Sequence, residues 1–201
     1  MTTAILMAIT DLGDAALLLP VALLLALVLW TQQSAAAALS WLGALLAALS
    51  AIAALKLVGH TCRSALGVPS LVSPSGHATF AAMVYGATAI AVARHTAGPV
   101  RWLALLGGAG IVLAVAASRR LIGAHSSLEV LVGLMIGALG LALFARTYLR
   151  LPPASFRSRR AAALAAVLAL AAVSLHGERL HAEVLIRSIA AELRIQTNVC
   201  G

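Results

Sequence analysis

Three short clusters of charged and reactive side chains break an otherwise oily chain: Lys56 to Arg63, Ser73-Pro74-Ser75-Gly76-His77, and Ser118-Arg119 followed by His125 and Glu129. These are groups that can hold a phosphate and attack it. A lysine offers a point charge and an arginine a planar fork, so Lys56 and Arg63 together can neutralise a phosphate group. Taken alone, the pair reads equally well as cations snorkelling from a helix end. Pro74 and Gly76 favour a tight turn, while the Ser75 hydroxyl and the turn's N–H groups suit anionic oxygens. A helix starting there adds unpaired amides and a positive dipole end. His77, at the mouth of that helix, is placed to protonate a leaving oxygen. Such a short motif also occurs as an ordinary turn with an incidental histidine.

His125 and Glu129 are four residues apart, which puts them on one face of a helix beginning near Ala124. A carboxylate bonded to one ring nitrogen fixes the tautomer and sharpens the other as a nucleophile. Arg119 supplies a second guanidinium. Glu129 is the sole acid between residues 15 and 177, and a carboxylate at the start of a membrane helix is costly enough to mark a functional candidate. The competing reading is an interfacial ion pair with Arg119 or Arg120. His60 reads first as a loop histidine near the headgroups, and Met83 and Tyr85 as packing.

The elements that must position these groups are membrane helices. With 62% hydrophobic and 10% charged residues and a mean hydropathy of +1.04, the chain lies far from the roughly 25% charge of soluble domains. Charge-free stretches at Ala15–Trp30, Ser34–Leu55, Ala78–Ala93, Trp102–Ala117, Val130–Ala145 and Ala161–Leu175 predict six spans. Most fall short of the roughly 20 residues a bilayer needs, so the helices must extend into their flanks or their arginines must snorkel. The expected fold is all-α, a single membrane-embedded domain over residues 1–201 with its motif-bearing core at 56–129.

With the N-terminus outside, Arg94, Arg101, Arg146, Arg150, Arg157, Arg159 and Arg160 fall in cytoplasmic loops that carry no acid. The other side holds Asp11 and Asp14, a charge-balanced tail, and the three clusters. Loops after the second and fourth spans return to the side of the N-terminus, so the clusters can meet there. The net charge of +8 is thus mainly a topology signal. No nucleic-acid module accompanies it, and no nucleic-acid partner is expected. Trp30 and Trp102 sit at the inner boundary, and residues 1–14 lack the basic start of a cleavable signal.

In order and spacing, these motifs resemble the type 2 phosphatidic acid phosphatase superfamily. Its pattern runs lysine, six residues, arginine-proline; then Pro-Ser-Gly-His; then Ser-Arg, five residues, histidine, three residues, aspartate. Lys56 and Arg63, Pro74 to His77, and Ser118-Arg119 with His125 and Glu129 fill those places. The resemblance implies that Lys56, Arg63, Ser75, Gly76 and Arg119 bind phosphate, that His125 forms a phosphohistidine, and that His77 protonates the leaving group. It implies no metal and no cofactor. Ser64 replaces the usual proline, and Glu129 the usual aspartate.

The implied activity is hydrolysis of a terminal phosphate monoester or diphosphate of a membrane lipid, such as a polyprenyl diphosphate or phosphatidic acid. It would take place on the extracytoplasmic (periplasmic) face of the inner, or plasma, membrane. A lipid phosphotransferase of the same superfamily and a degenerate lipid-binding or transport protein are the rival readings. Ala182, Leu185, Ile186, Ile189 and Leu193 recur at helical spacing with Glu183 and Arg187 as an i,i+4 pair. They predict a C-terminal amphipathic helix on the outer leaflet, serving either to guide headgroups or to seal the bundle. Cys62 and Cys200 both fall on the outer side, where a bridge is allowed but spacing does not establish one.

Overall fold

The computed structural model describes residues 2–62, 71–152, 174 and 182–197. Among them all regular structure is helical: α1 (Thr2–Asp11), α2 (Ala15–Gln32), α3 (Ala35–Thr61), α4 (Gly76–Arg94), α5 (Gly98–Leu121), α6 (Ser127–Tyr148) and α7 (Ala182–Thr197). Among the described residues, five segments are long and apolar enough to cross a membrane: Thr3–Gln32, which joins α1 to α2, and the helices α3 to α6. The sixth expected span, Ala161–Leu175, lies outside the described residues apart from Ser174.

Polar caps, not the first charge met along the chain, set the helix ends. The Asp14 carboxylate accepts the Ala16 amide at 2.8 Å, Ser34 caps α3 through the Ala37 amide at 3.2 Å, and Ser75 caps α4 through Ala78 at 3.4 Å. Each satisfies an amide that the first helical turn leaves without a partner. α5 has no side-chain cap. It opens instead with Gly98 at φ +58° and Pro99 in its first turn, a residue whose missing N–H costs nothing there. Helices bounded this way outrun the charge-free windows: α3 carries Lys56 and His60 in its last turns, and α5 carries Arg119 and Arg120. At 27 and 24 residues both are long enough to span a bilayer, which removes the shortfall.

α4 is the central element. The most apolar window of α4 is 56% buried, against 11% for α5 at the periphery. α6 packs on α4 through glycines whose missing side chains admit the neighbouring backbone. A Cβ on Gly133 would stand 2.4 Å from the Ser75 carbonyl oxygen, and one on Gly137 would stand 2.8 Å from that of Thr79. Close approach of small residues is how membrane helices gain packing without a hydrophobic drive between them. The Thr79 hydroxyl uses this proximity to donate to the Gly133 carbonyl at 2.9 Å.

Beneath the seam lies a core of Trp41, Phe144, Tyr148, Met83, Val84 and Leu18, all fully buried. Trp41 meets Phe144 edge-on at 5.5 Å, and Phe144 stacks on Tyr148 at 5.0 Å. The Trp41 indole N–H donates to the Ala22 carbonyl at 2.9 Å, tying α3 to α2. Outward-facing Leu23, Leu39, Leu103, Leu106 and Leu139 are well exposed, as expected for helices in lipid. At the end remote from the clusters, the Arg94 guanidinium donates to the Tyr148 and Leu151 carbonyls. It also lies 4.5 Å from the Tyr148 ring centroid.

Candidate active site

Alternation of helix direction brings four helix termini to one end of the bundle: the C-terminal ends of α3 and α5 and the N-terminal ends of α4 and α6. A cavity of about 870 Å³ opens there. Its polar lining includes Lys56, Gly76, His77, Arg119, His125 and Glu129. Two loops distant in sequence therefore meet, as the sequence predicts.

Glu129 joins them. Its Oε1 accepts the Val72 amide at 3.0 Å and the Ser73 amide at 2.7 Å. Its Oε2 accepts the Ser126 amide at 3.0 Å and lies 3.3 Å from His125 Nδ1. The first two bonds pin the loop entering α4 to the start of α6, the third closes the cap of α6, and the contact with His125 fixes the imidazole through Nδ1, leaving Nε2 for chemistry. Ser126 returns the favour by accepting the Glu129 amide at 3.1 Å, a reciprocal capping box. Burial holds the His125 imidazole below the usual histidine range, helped by the charges of Lys56 and Arg119 and opposed by Glu129. The ring is thus biased to the neutral, nucleophilic form.

Ser75 is fully buried and stands behind the cavity wall. Its hydroxyl caps α4 by accepting the Ala78 amide, and its own amide donates to the Glu129 carbonyl at 2.9 Å and so is engaged in the scaffold. Gly76, the next residue, does line the cavity. Lys56 is buried and donates to the Ser73 hydroxyl at 2.9 Å. Arg63 and Ser64 lie outside the described residues, as does Cys200; Cys62 is disulfide-bonded.

Two carboxylates reach this site that the sequence reading did not place there. Asp14, the cap of α2, puts Oδ2 3.4 Å from His77 Nε2. Glu183, in the first turn of α7, bonds Lys56 Nζ, His60 Nε2 at 2.9 Å and the Ser73 hydroxyl at 2.9 Å. Burial pushes the Glu183 carboxyl up, but its bonds with Lys56, His60 and Ser73 outweigh this and hold it at about 2. The expected Glu183–Arg187 pair forms at 3.4 Å. Yet Glu183 turns into the cavity, while Val184, Leu185 and Ile189 are exposed. Asp14 had registered only as N-terminal charge and Glu183 only as half of a surface pair, so neither carried a local signal for the site. His60 is likewise part of the cavity wall rather than a free loop histidine.

Residues 56–153 match the family model of the PAP2 superfamily. Over that stretch the chain is similar to the type 2 phosphatidic acid phosphatase superfamily, and Lys56, Gly76, His77, Arg119, His125 and Glu129 of the three motifs line one cavity. No curated protein and no solved structure matches it. The superfamily hydrolyses phosphate esters, which supports phosphatase activity in this multi-pass membrane protein.

Proposed function

We propose that the protein removes the terminal phosphate from a membrane lipid through a phosphohistidine on His125, without a metal. The observation that carries this reading is the Glu129–His125 contact at 3.3 Å inside a cavity that also holds Lys56, Arg119 and His77. His125 Nε2 attacks phosphorus, and the bond from phosphorus to the lipid or β-phosphate oxygen breaks. His77 gives its proton to that oxygen. Water then attacks the phosphohistidine, returning a proton to His77 as the N–P bond breaks and phosphate departs. Glu129 stabilises the positive imidazole formed in between. Lys56, Arg119 and the Gly76 amide hold the phosphate oxygens, and Arg63 joins them by its place in the motif. Fixed cations and N–H groups of this kind stabilise the charge that develops in the transition state.

The lower wall of the cavity includes Leu19, Leu49, Ile52, Ala53 and Phe80, a surface suited to a substrate whose tail stays in the bilayer. Arg94, Arg101, Arg146 and Arg150 collect at the opposite end, which supports an extracytoplasmic site by the positive-inside rule. The disulfide-bonded Cys62 at the site end supports the same orientation. The test is phosphate release by the purified protein from a panel of lipid phosphates in chelator, beside His125→Ala. An acid-labile phosphoprotein that forms in the parent and not in the variant is expected. Equal turnover by both proteins overturns the reading, and phosphate transfer to added lipid without net release favours a transferase.

A further inference from the structure

The turn between α1 and α2, outside all three motifs, is built against His77. Gly13 allows the closest approach: a Cβ there would stand 2.6 Å from Val115 Cγ1, 3.1 Å from His77 Cβ and 3.3 Å from His77 Cδ2. The turn is bolted on both sides. The Thr10 hydroxyl meets the Ser118 hydroxyl at 2.7 Å, next to Arg119, and the Tyr85 hydroxyl donates to the Leu12 carbonyl at 2.9 Å. Thr10, Asp14 and Ser118 are all buried. The turn therefore delivers one carboxylate, at a fixed position, to one face of the His77 ring.

Asp14 divides its two oxygens. Oδ1 accepts the Ala16 amide at 2.8 Å and so caps α2; Oδ2 faces His77 Nε2 at 3.4 Å. A helix cap needs only the first. A serine or asparagine would cap equally well, so the cap does not explain a buried negative charge beside an imidazole, which is costly unless it is paired. With Nε2 committed to the carboxylate, the other ring nitrogen is the one left to exchange a proton with substrate. His77 and Asp14 thus mirror His125 and Glu129 across the cavity.

We infer that Asp14 is a positioning residue for His77, orienting its ring and stabilising its protonated form so that it can act on the leaving oxygen. This inference rests on the proposed role of His77 as proton donor. General acids matter most when the leaving group is poor. An alkoxide needs a proton as it departs, whereas p-nitrophenolate leaves without one.

The experiment compares the full-length parent with Asp14→Asn, Asp14→Ser and His77→Ala on a lipid alkyl phosphate and on p-nitrophenyl phosphate. Asparagine and serine both keep the helix cap, and serine cannot span the distance to the ring. General acids contribute about 10²–10⁴-fold, so loss of the orienting partner should lower kcat/KM, which reports the steps up to leaving-group departure, by about tenfold or more on the alkyl substrate. The loss of kcat/KM on the aryl substrate should be under about threefold, while kcat falls on both because His77 also serves the shared hydrolysis of the phosphohistidine. His77→Ala should show the same selectivity more strongly, and Asp14→Glu should recover part of the rate. If His77→Ala is selective for the alkyl substrate while both cap-preserving variants lose equally on the two substrates, or lose nothing, Asp14 is only a cap and the inference fails. If His77→Ala shows no such selectivity, the proposed role of His77 fails first and the inference goes with it.

Discussion

The Ser75 amide donates to the Glu129 carbonyl at 2.9 Å, so the entry to α4 and the first turn of α6 form one hydrogen-bonded unit. The Glu129 side chain extends that unit to Val72, Ser73, Ser126 and His125. Scaffold and nucleophile orientation thus share a single carboxylate.

Substitutions at Glu129 should separate the two roles. Glu129→Ala strands the Val72 and Ser73 amides and should cost about 2–4 kcal/mol, read as a lower melting temperature in detergent. Glu129→Gln keeps an acceptor for those amides and should melt closer to the parent, yet lose about two orders of magnitude in kcat because His125 loses its orienting charge. A glutamine variant with parental turnover would remove the carboxylate from the mechanism.

The pH dependence follows from His125. Burial and the neighbouring cations favour its neutral form, the form that the proposed mechanism requires for attack on phosphorus. The acid limb of kcat/KM should therefore lie below the ordinary histidine value of 6.5. Lys56→Met removes one of those cations, so the limb should move to higher pH as well as the rate falling. Movement to lower pH would contradict the arrangement described.

Two glycines on different faces give a packing test. In Gly133→Ala the new methyl would meet the Ser75 backbone, and overpacking of this kind costs about 1–3 kcal/mol. Melting temperature and kcat should fall together, since the same contact seats Ser75 and Glu129. Gly110→Ala meets no atom within 4 Å and should be neutral or stabilising by up to about 1 kcal/mol. Equal effects at both positions would show that the α4–α6 seam is looser than the structure describes.

Glu183 holds an oxyanion against Lys56, His60 and Ser73, and a phosphate reaching Lys56 must contend with it. Glu183→Gln should tighten inhibition by inorganic phosphate or vanadate by about tenfold, equivalent to about 1.4 kcal/mol. Weaker inhibition would mean that the carboxylate helps to build the anion site. The carboxyl is held at about 2 against an ordinary 4.5. Its ionic tether therefore contributes fully above 4.5 and is lost as pH falls toward 2, so α7 stays docked at neutral pH.

Much of the site was legible because Lys56, His77, Arg119, His125 and Glu129 are rare polar residues in a chain of alanine and leucine, and their order matches a family pattern. Helix ends were less legible. Counting stops at the first charge, whereas α3 and α5 continue through theirs and α4 starts at its serine cap. Asp14 and Glu183 could not be assigned from spacing, because only folding brings residues more than 60 positions from His77 and more than 120 from Lys56 to the same cavity. Ser75, which the motif marks as a ligand, is fully buried and caps α4, a packing role that its place in the motif does not reveal.

The apolar floor of Leu19, Leu49, Ile52 and Phe80 beneath the charged rim separates two exits. Under the proposed reaction, a greasy alcohol released there would already be in oil and free to drift sideways among the acyl chains, while the liberated anion would leave by the polar mouth lined by Glu183 and Arg187 of α7. Departure of one product need not wait for the other.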